Sequence, residues 1–178
     1  MRQIHQHALA LGLVLALSAC GGDPEPQFEA DPSPAPSEVT TSAPAKEAWE
    51  EKSPEGAIAF VERWVETFSD AFQTGDTAAV RDLADAGCDA CDGLVDLIDA
   101  AYADGGSIRG DAWSVIAARP SGTPPKGRAA VSADIEQPQQ VVKKAGERPM
   151  RTSAGEATYL FELSWDGGWA VSSILFED

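Results

Sequence analysis

The sequence predicts an α+β domain, three helices followed by an antiparallel sheet, carried behind an amino-terminal address and a tether. Three observations predict it. Between Ser53 and Ala103 apolar residues recur every three or four positions, the period of a helix. From Trp113 onward they alternate, the period of a strand. Asp166-Gly167-Gly168 then separates the last two alternating runs, a strong hairpin signal. Helices first and a meander second place the helices against one sheet face.

Residues 1–19 read as an export signal. Arg2 is the one firm charge of a short polar start, and Ala8 to Leu17 is an apolar run. That run is about half of the ~20 residues a membrane-crossing helix needs, and it fits a signal-peptide core. It ends in Leu17-Ser18-Ala19-Cys20, followed by Gly21-Gly22. Four ordered positions behind an apolar core resemble a bacterial lipobox. The resemblance implies cleavage before Cys20, a diacylglyceryl thioether on it, and retention at the extracytoplasmic face of the cell membrane. Two acyl chains hold a protein stably where one holds it marginally.

Residues 20–52 read as the anchor and a tether. Pro24, Pro26, Pro32, Pro34, Pro36 and Pro44 fall here, half of the chain's 12 prolines, among Asp, Glu, Ser, Thr and Ala. Such a segment cannot bury enough apolar area to offset its ordering entropy. A flexible chain of this length spans roughly 30 Å, and an extended polyproline helix about 100 Å. Ser33, Ser37, Thr40, Thr41 and Ser42 stand near prolines, a composition that sometimes carries sugars.

Residues 53–178 read as the domain. Ser53-Pro54-Glu55 is a helix start: a hydroxyl cap, proline at the first helical position, a carboxylate at the positive end of the dipole. Ile58, Val61, Trp64, Val65, Phe68 and Phe72 then draw one apolar stripe. Gly75 stops the helix, and Asp76 caps a second one carrying Ala79, Val80, Leu83 and Ala84 inward. A third runs from Gly93 to Ala103, burying Leu94, Val95, Leu97 and Ile98, and Gly105-Gly106 ends it. Strands are expected around Trp113–Ala117, Ala129–Ile135, Gln140–Lys144, Ala157–Trp165 and Trp169–Phe176.

The long aromatic first helix, the Thr74-Gly75-Asp76-Thr77 junction, a short helix ending in Gly-Gly, and a hairpin of the form Phe-x-Leu-x-Trp-x-x-Gly-Trp-x-Val resemble the nuclear-transport-factor-2-like fold. That likeness implies a cone: three amino-terminal helices on a strongly curved antiparallel sheet. More narrowly, Pro54 to Cys91, with its Cys88-Asp89-Ala90-Cys91 pair, resembles a family of actinobacterial lipoproteins of unknown function. Where the usual cone has a short strand after the second helix, this sequence has the cysteine pair. One scaffold of this kind hosts isomerases, dehydratases and adaptors, so the likeness carries no activity with it.

Charge and composition narrow the function. The formal net charge is −16 and the pI near 4.3. An acidic surface repels phosphates, which excludes nucleic acid as a primary partner and leaves divalent cations or basic partners. The two histidines, His5 and His7, lie in the signal segment, so the mature chain lacks the usual general base and metal ligand. No metal or cofactor is expected. Asp92, Asp96 and Asp99 share a helix face, and the EF-hand spacing is not met. Outside the cytoplasm Cys88 and Cys91 should be oxidised. With Asp85, Asp89, Asp92 and Asp96 around them a low-pKa redox thiol is disfavoured, and a disulfide fixing the corner between two helices is the reading.

Three functions from different classes remain. The first is non-catalytic binding, of an apolar small molecule or an envelope protein, with Trp64, Phe68, Trp113, Tyr159 and Phe161 lining a pocket. The second is a lyase or isomerase using a buried carboxylate, for which Tyr102, Tyr159 and Asp134 are the candidates. The third is a disulfide redox protein. A pocket filled by aromatic side chains favours binding through a surface; a carboxylate of raised pKa inside an open pocket favours the enzyme.

Overall fold

The structure is a computed structural model that describes residues 45–177. The expected signal peptide, Cys20 and the tether as far as Pro44 lie outside the described residues. Among the described residues no helix is long and apolar enough to cross a membrane.

Helix α1 (Pro54–Thr74) begins where its cap chemistry places it: the Ser53 hydroxyl accepts the Gly56 N–H at 2.9 Å, with proline in the first turn. It buries Phe60, Val61, Trp64, Val65, Phe68 and Phe72, while Ile58 is half-buried. Each fully buried Val or Phe of this face contributes about 1.5–3 kcal/mol. The helix ends at Gly75, which takes the left-handed conformation at φ +80° and donates its N–H to the Ala71 carbonyl at 2.8 Å. Before the cap, a 3₁₀ turn at Ala48–Glu50 packs back on α1, with the Arg63 guanidinium 4.3 Å from the Trp49 ring centre. Folded structure therefore reaches a few residues ahead of Ser53.

Helix α2 (Ala78–Arg81) is one turn, shorter than the sequence suggests. Asp76 does accept the Ala78 N–H, at 3.1 Å. Leu83 and Ala84 nevertheless leave the helix, because Val171 claims their backbone. Val171 donates to the Leu83 carbonyl and accepts from Asp85, and Ala84 forms a parallel bridge with Val171. The place assigned to the cysteines alone thus keeps a one-residue remnant of a strand. Helix α3 (Asp89–Tyr102) starts four residues earlier than expected, with Cys88 at its cap. Leu97, expected inside, is 50% exposed, since Cys91, Val95, Ile98 and Ala101 define the inward face.

Seven strands follow: β1 (Ser107–Arg109), β2 (Ser114–Pro120), β3 (Arg128–Gln137), β4 (Val141–Lys143), β5 (Met150–Arg151), β6 (Gly155–Trp165) and β7 (Trp169–Glu177). They form two antiparallel sheets in place of one, a four-stranded sheet in the order β2-β3-β6-β7 and a small one in the order β1-β4-β5. The alternation expected through Trp113, Val115 and Ala117 breaks at a bulge between Val115 and Ala117. Ala117 consequently pairs with Asp134 and Ala118 with the core residue Ala133, while Ile116 is turned out, 53% exposed. The β6–β7 hairpin closes as its turn predicts, Trp165 opposite Trp169 and Gly167 at φ +79°. Val131, Ala133 and Ile135 of β3 and Phe161 and Leu163 of β6 meet α1 in the core.

Gly75 offers a direct check. A Cβ there would stand 2.6 Å from the Tyr102 ring, whereas one at Gly105, also at positive φ, would meet nothing within 4 Å. Gly105→Ala should cost about 1–2 kcal/mol through its conformation alone. Gly75→Ala should cost visibly more by urea unfolding, and equal midpoints would contradict the close Tyr102 approach.

Candidate functional site

The residues singled out as pocket lining converge between α1, α3 and the four-stranded sheet. Trp64 and Val65 come from α1, Leu94 from α3, and Trp113 from the approach to β2. Ile135, Tyr159, Phe161 and Ile174 supply the sheet wall. Phe68 is not in the lining: its ring lies flat behind Trp64, 5.2 Å between centres and 7° from parallel, and meets Trp113 edge-on at 5.3 Å. Trp64 also meets Phe161 edge-on at 5.4 Å. The cavity these side chains leave is about 30 Å³, roughly the share of one water molecule in the liquid. The aromatics fill it.

Two polar atoms stand out. The indole N–H groups of Trp64 and Trp113 are buried and have no hydrogen-bond partner. A buried donor left unpaired costs about 1–3 kcal/mol. Tyr159, by contrast, is satisfied: its hydroxyl accepts from Gln137 Nε2 at 2.6 Å, and its ring leans on Phe176 at 5.7 Å beside the cavity.

Trp113 is held by residues that sequence reasoning missed. Buried Ser69 accepts the Trp113 N–H at 2.8 Å and donates to the Trp113 carbonyl at 3.1 Å. Gln140, 3% exposed, donates to the Asp111 carbonyl at 2.8 Å and fixes the loop leading into Trp113. Ser69 sits on the α1 stripe four residues after Val65, and a hydroxyl in that position was the available signal. Gln140 carried none.

The catalytic candidates separate. Tyr102 lies away from the cavity, its hydroxyl donating to the Gln73 carbonyl at 2.6 Å to tie α3 to the end of α1. Asp134 projects from the opposite sheet face, as its place between the buried Ala133 and Ile135 requires. The Thr158 hydroxyl donates to it at 2.7 Å and Arg119 at 3.0 Å, and these hold its carboxyl below the usual range. A general acid needs the opposite shift. Only Tyr159 touches the cavity, and no carboxylate lines it.

Cys88 and Cys91 form a disulfide, and both are buried. The Cys88 sulfur accepts the Cys91 N–H at 3.2 Å as the cap of α3. On the acidic face of α3, Asp99 accepts from Arg81 at 2.6 Å and from Thr77 at 3.0 Å, while Asp96 lies 3.8 Å from Arg81. Among the described residues no group of three or more His, Cys, Asp or Glu side chains is disposed to hold a metal.

A profile described as a family of unknown function (DUF6318) matches residues 37–174. The chain belongs to that family. No curated protein matches the DUF6318 chain in sequence. In fold it is similar to the intermembrane space region of the chloroplast protein ARC6, at 16% identity and a TM-score of 0.54. That match covers 71% of this chain and 97% of that one, and at such identity the likeness is one of fold alone. A structure described as "Rd1NTF2_04 with long sheet" matches 65% of this chain and 97% of its own at 15% identity, with a TM-score of 0.35, too low to define a shared fold. The DUF6318 membership agrees with the family of unknown function that the Pro54–Cys91 motifs resemble.

Two outcomes test this site. In the folded DUF6318 chain the Cys88–Cys91 disulfide should resist dithiothreitol that reduces it at once in urea; equal rates by thiol labelling would mean an accessible bond. Asp134, with its pKa depressed by folding, adds stability above the unfolded value of about 4 and loses it as the pH falls through the folded one. Asp134→Asn should therefore destabilise at pH 7 and approach the parent stability in acid, and a gap of constant size would contradict the bonding described.

Proposed function

We propose that this chain is a lipoprotein, acylated at Cys20 and held at the extracytoplasmic face of the cell membrane, whose domain is a cone of the nuclear-transport-factor-2 type with a non-catalytic role: it binds an envelope protein. The observation that carries the binding role is the filled cavity. A space of about 30 Å³ walled by Trp64, Trp113, Tyr159 and Phe161 has no room for a substrate, and small-molecule sites run to about 300–1,000 Å³. The lipobox ending at Cys20 supports the anchor, and the proline-rich stretch behind it supports a spacer.

The apolar surface around the cavity supports a protein partner. Phe176, in edge contact with Tyr159, is 63% exposed. Leu97, one turn from Leu94 on α3, is 50% exposed. Exposed apolar surface marks a contact site where it is contiguous, and Phe176, packed on Tyr159 and open to solvent, is the position at which this reading is tested. The cavity lining, which holds no carboxylate, and the burial of the disulfide favour this reading over the lyase and redox ones.

A second reading rests on the unpartnered indoles. A small apolar ligand with one acceptor oxygen would satisfy the N–H groups of Trp64 and Trp113 if Trp113 and Leu94 moved apart to admit it.

One experiment separates the two. A photoreactive residue replaces Phe176, and in a control Glu66, in cells that make the anchored protein. A discrete envelope-protein adduct from position 176 and none from position 66 is the expected result. If position 176 yields none, and the native mass of the purified chain exceeds its denatured mass, the cavity opens for a ligand and the partner reading fails.

A further inference from the structure

Where α1 begins, an open groove of about 320 Å³ runs between the helix and the β2–β3 turn. That volume lies in the small-molecule range of about 300–1,000 Å³. Ala57, Val131 and Trp169, each at least nine-tenths buried, form its floor, and the half-buried Ala129 and Ala130 with Pro54, Pro120 and Pro124 form its more open apolar walls. Trp169 is fixed in place by its indole N–H, which donates to the Glu51 carbonyl at 2.8 Å.

The charge of the groove runs against the chain. The protein carries 29 acidic and 13 basic side chains, yet the charged residues in this lining are both cations, Lys52 and Arg128. A second groove of about 440 Å³ along α1 follows the average instead, lined by Glu62, Glu66 and Asp70. Neither Lys52 nor Arg128 has a carboxylate within 4.0 Å among the described residues, where the ion pairs belong to Arg81 and Arg119. Each cation is nonetheless oriented. The Lys52 ammonium stands 5.6 Å from the Trp165 ring centre, and Arg128 donates to the Ser172 hydroxyl at 3.2 Å. Ser53 and Pro54, in the same lining, bring the positive end of the 21-residue helix α1 to the groove.

We propose that this groove binds a small amphipathic anion, its apolar body on Ala57, Val131 and Trp169 and one carboxylate or phosphate head paired with Lys52 and Arg128. The lining supplies affinity by removing apolar surface from water. The cations supply selection: exposed charges alone are too well screened to hold a small anion, but they discriminate between a charged and a neutral head on a bound tail. Tyr159 and Phe176 take no part, so the site is independent of the partner surface above.

The test uses the full chain with Cys20→Ser, which removes the proposed acylation position. It is titrated with decanoate, decyl phosphate, decanol and acetate while amide and indole shifts are followed by NMR. Decanoate or decyl phosphate should bind saturably with shifts at Ala57, Val131 and Trp169, and whichever binds tighter identifies the head. Decanol should bind more weakly and acetate not at all. Lys52→Gln and Arg128→Gln, both exposed positions whose melting curves should not change, should each weaken anion binding about two- to fivefold. Equal affinity for decanol and decanoate, anion affinity unchanged in both variants, or shifts centred on Leu94 and Tyr159 would overturn the proposal.

Discussion

The structure depends on one packing requirement: α1 must bury a continuous aromatic face. Phe60, Trp64, Phe68 and Phe72 are too bulky to be covered by helices alone, and the inner face of β3 and β6 is the surface wide enough to take them. Ala133, small and fully buried, lets the Tyr159 and Phe161 side chains lean across. Phe161 then meets Trp64 edge-on, and Phe68 meets both Trp64 and Trp113. Once that interlock forms, α3 and the small sheet have one remaining place to pack.

The same interlock defines what the domain offers to other molecules. The cavity between α1, α3 and the sheet is occupied by indole and phenyl rings. Two of the carboxylates singled out in the sequence are spent on structure, Asp99 on Arg81 and Asp134 on Arg119 and Thr158. Two features at the rim carry the proposed binding roles, the apolar side chains beside Tyr159 and the cation-edged groove at the start of α1. The two are distinct in charge and in shape, and they suit different kinds of ligand.

Much of this was legible in the sequence, for reasons visible residue by residue. The start and stop of α1 were written in Ser53-Pro54 and Gly75, because cap chemistry is local. The β6–β7 hairpin was written in Asp166-Gly167-Gly168 for the same reason. The features that escaped are set by distant partners. Val171 draws Leu83–Asp85 out of α2, the bulge after Val115 flips the strand's inward face, and Cys88 moves the start of α3 forward. Strands of two and three residues, such as β5 and β1, are too short to show a period. The aromatic candidates converged because bulky apolar residues with matching periods share one core. The orphan indole donors could not be foreseen, since a missing partner is a property of the packed interior.

The bridge at Ala84 has a further consequence. β7 is an edge strand, and its sequence, Trp169-Ala170-Val171-Ser172-Ser173-Ile174-Leu175, combines β-propensity with an absence of charge, the composition of segments that stack into fibrils. Leu83–Asp85 occupies part of that edge, secured by two backbone hydrogen bonds and by the Ser164 hydroxyl donating to Asp85 at 2.6 Å. At the other edge, the β2 bulge and Pro120 interrupt the ladder. A chain crowded beside its own copies is thereby guarded against joining them edge to edge.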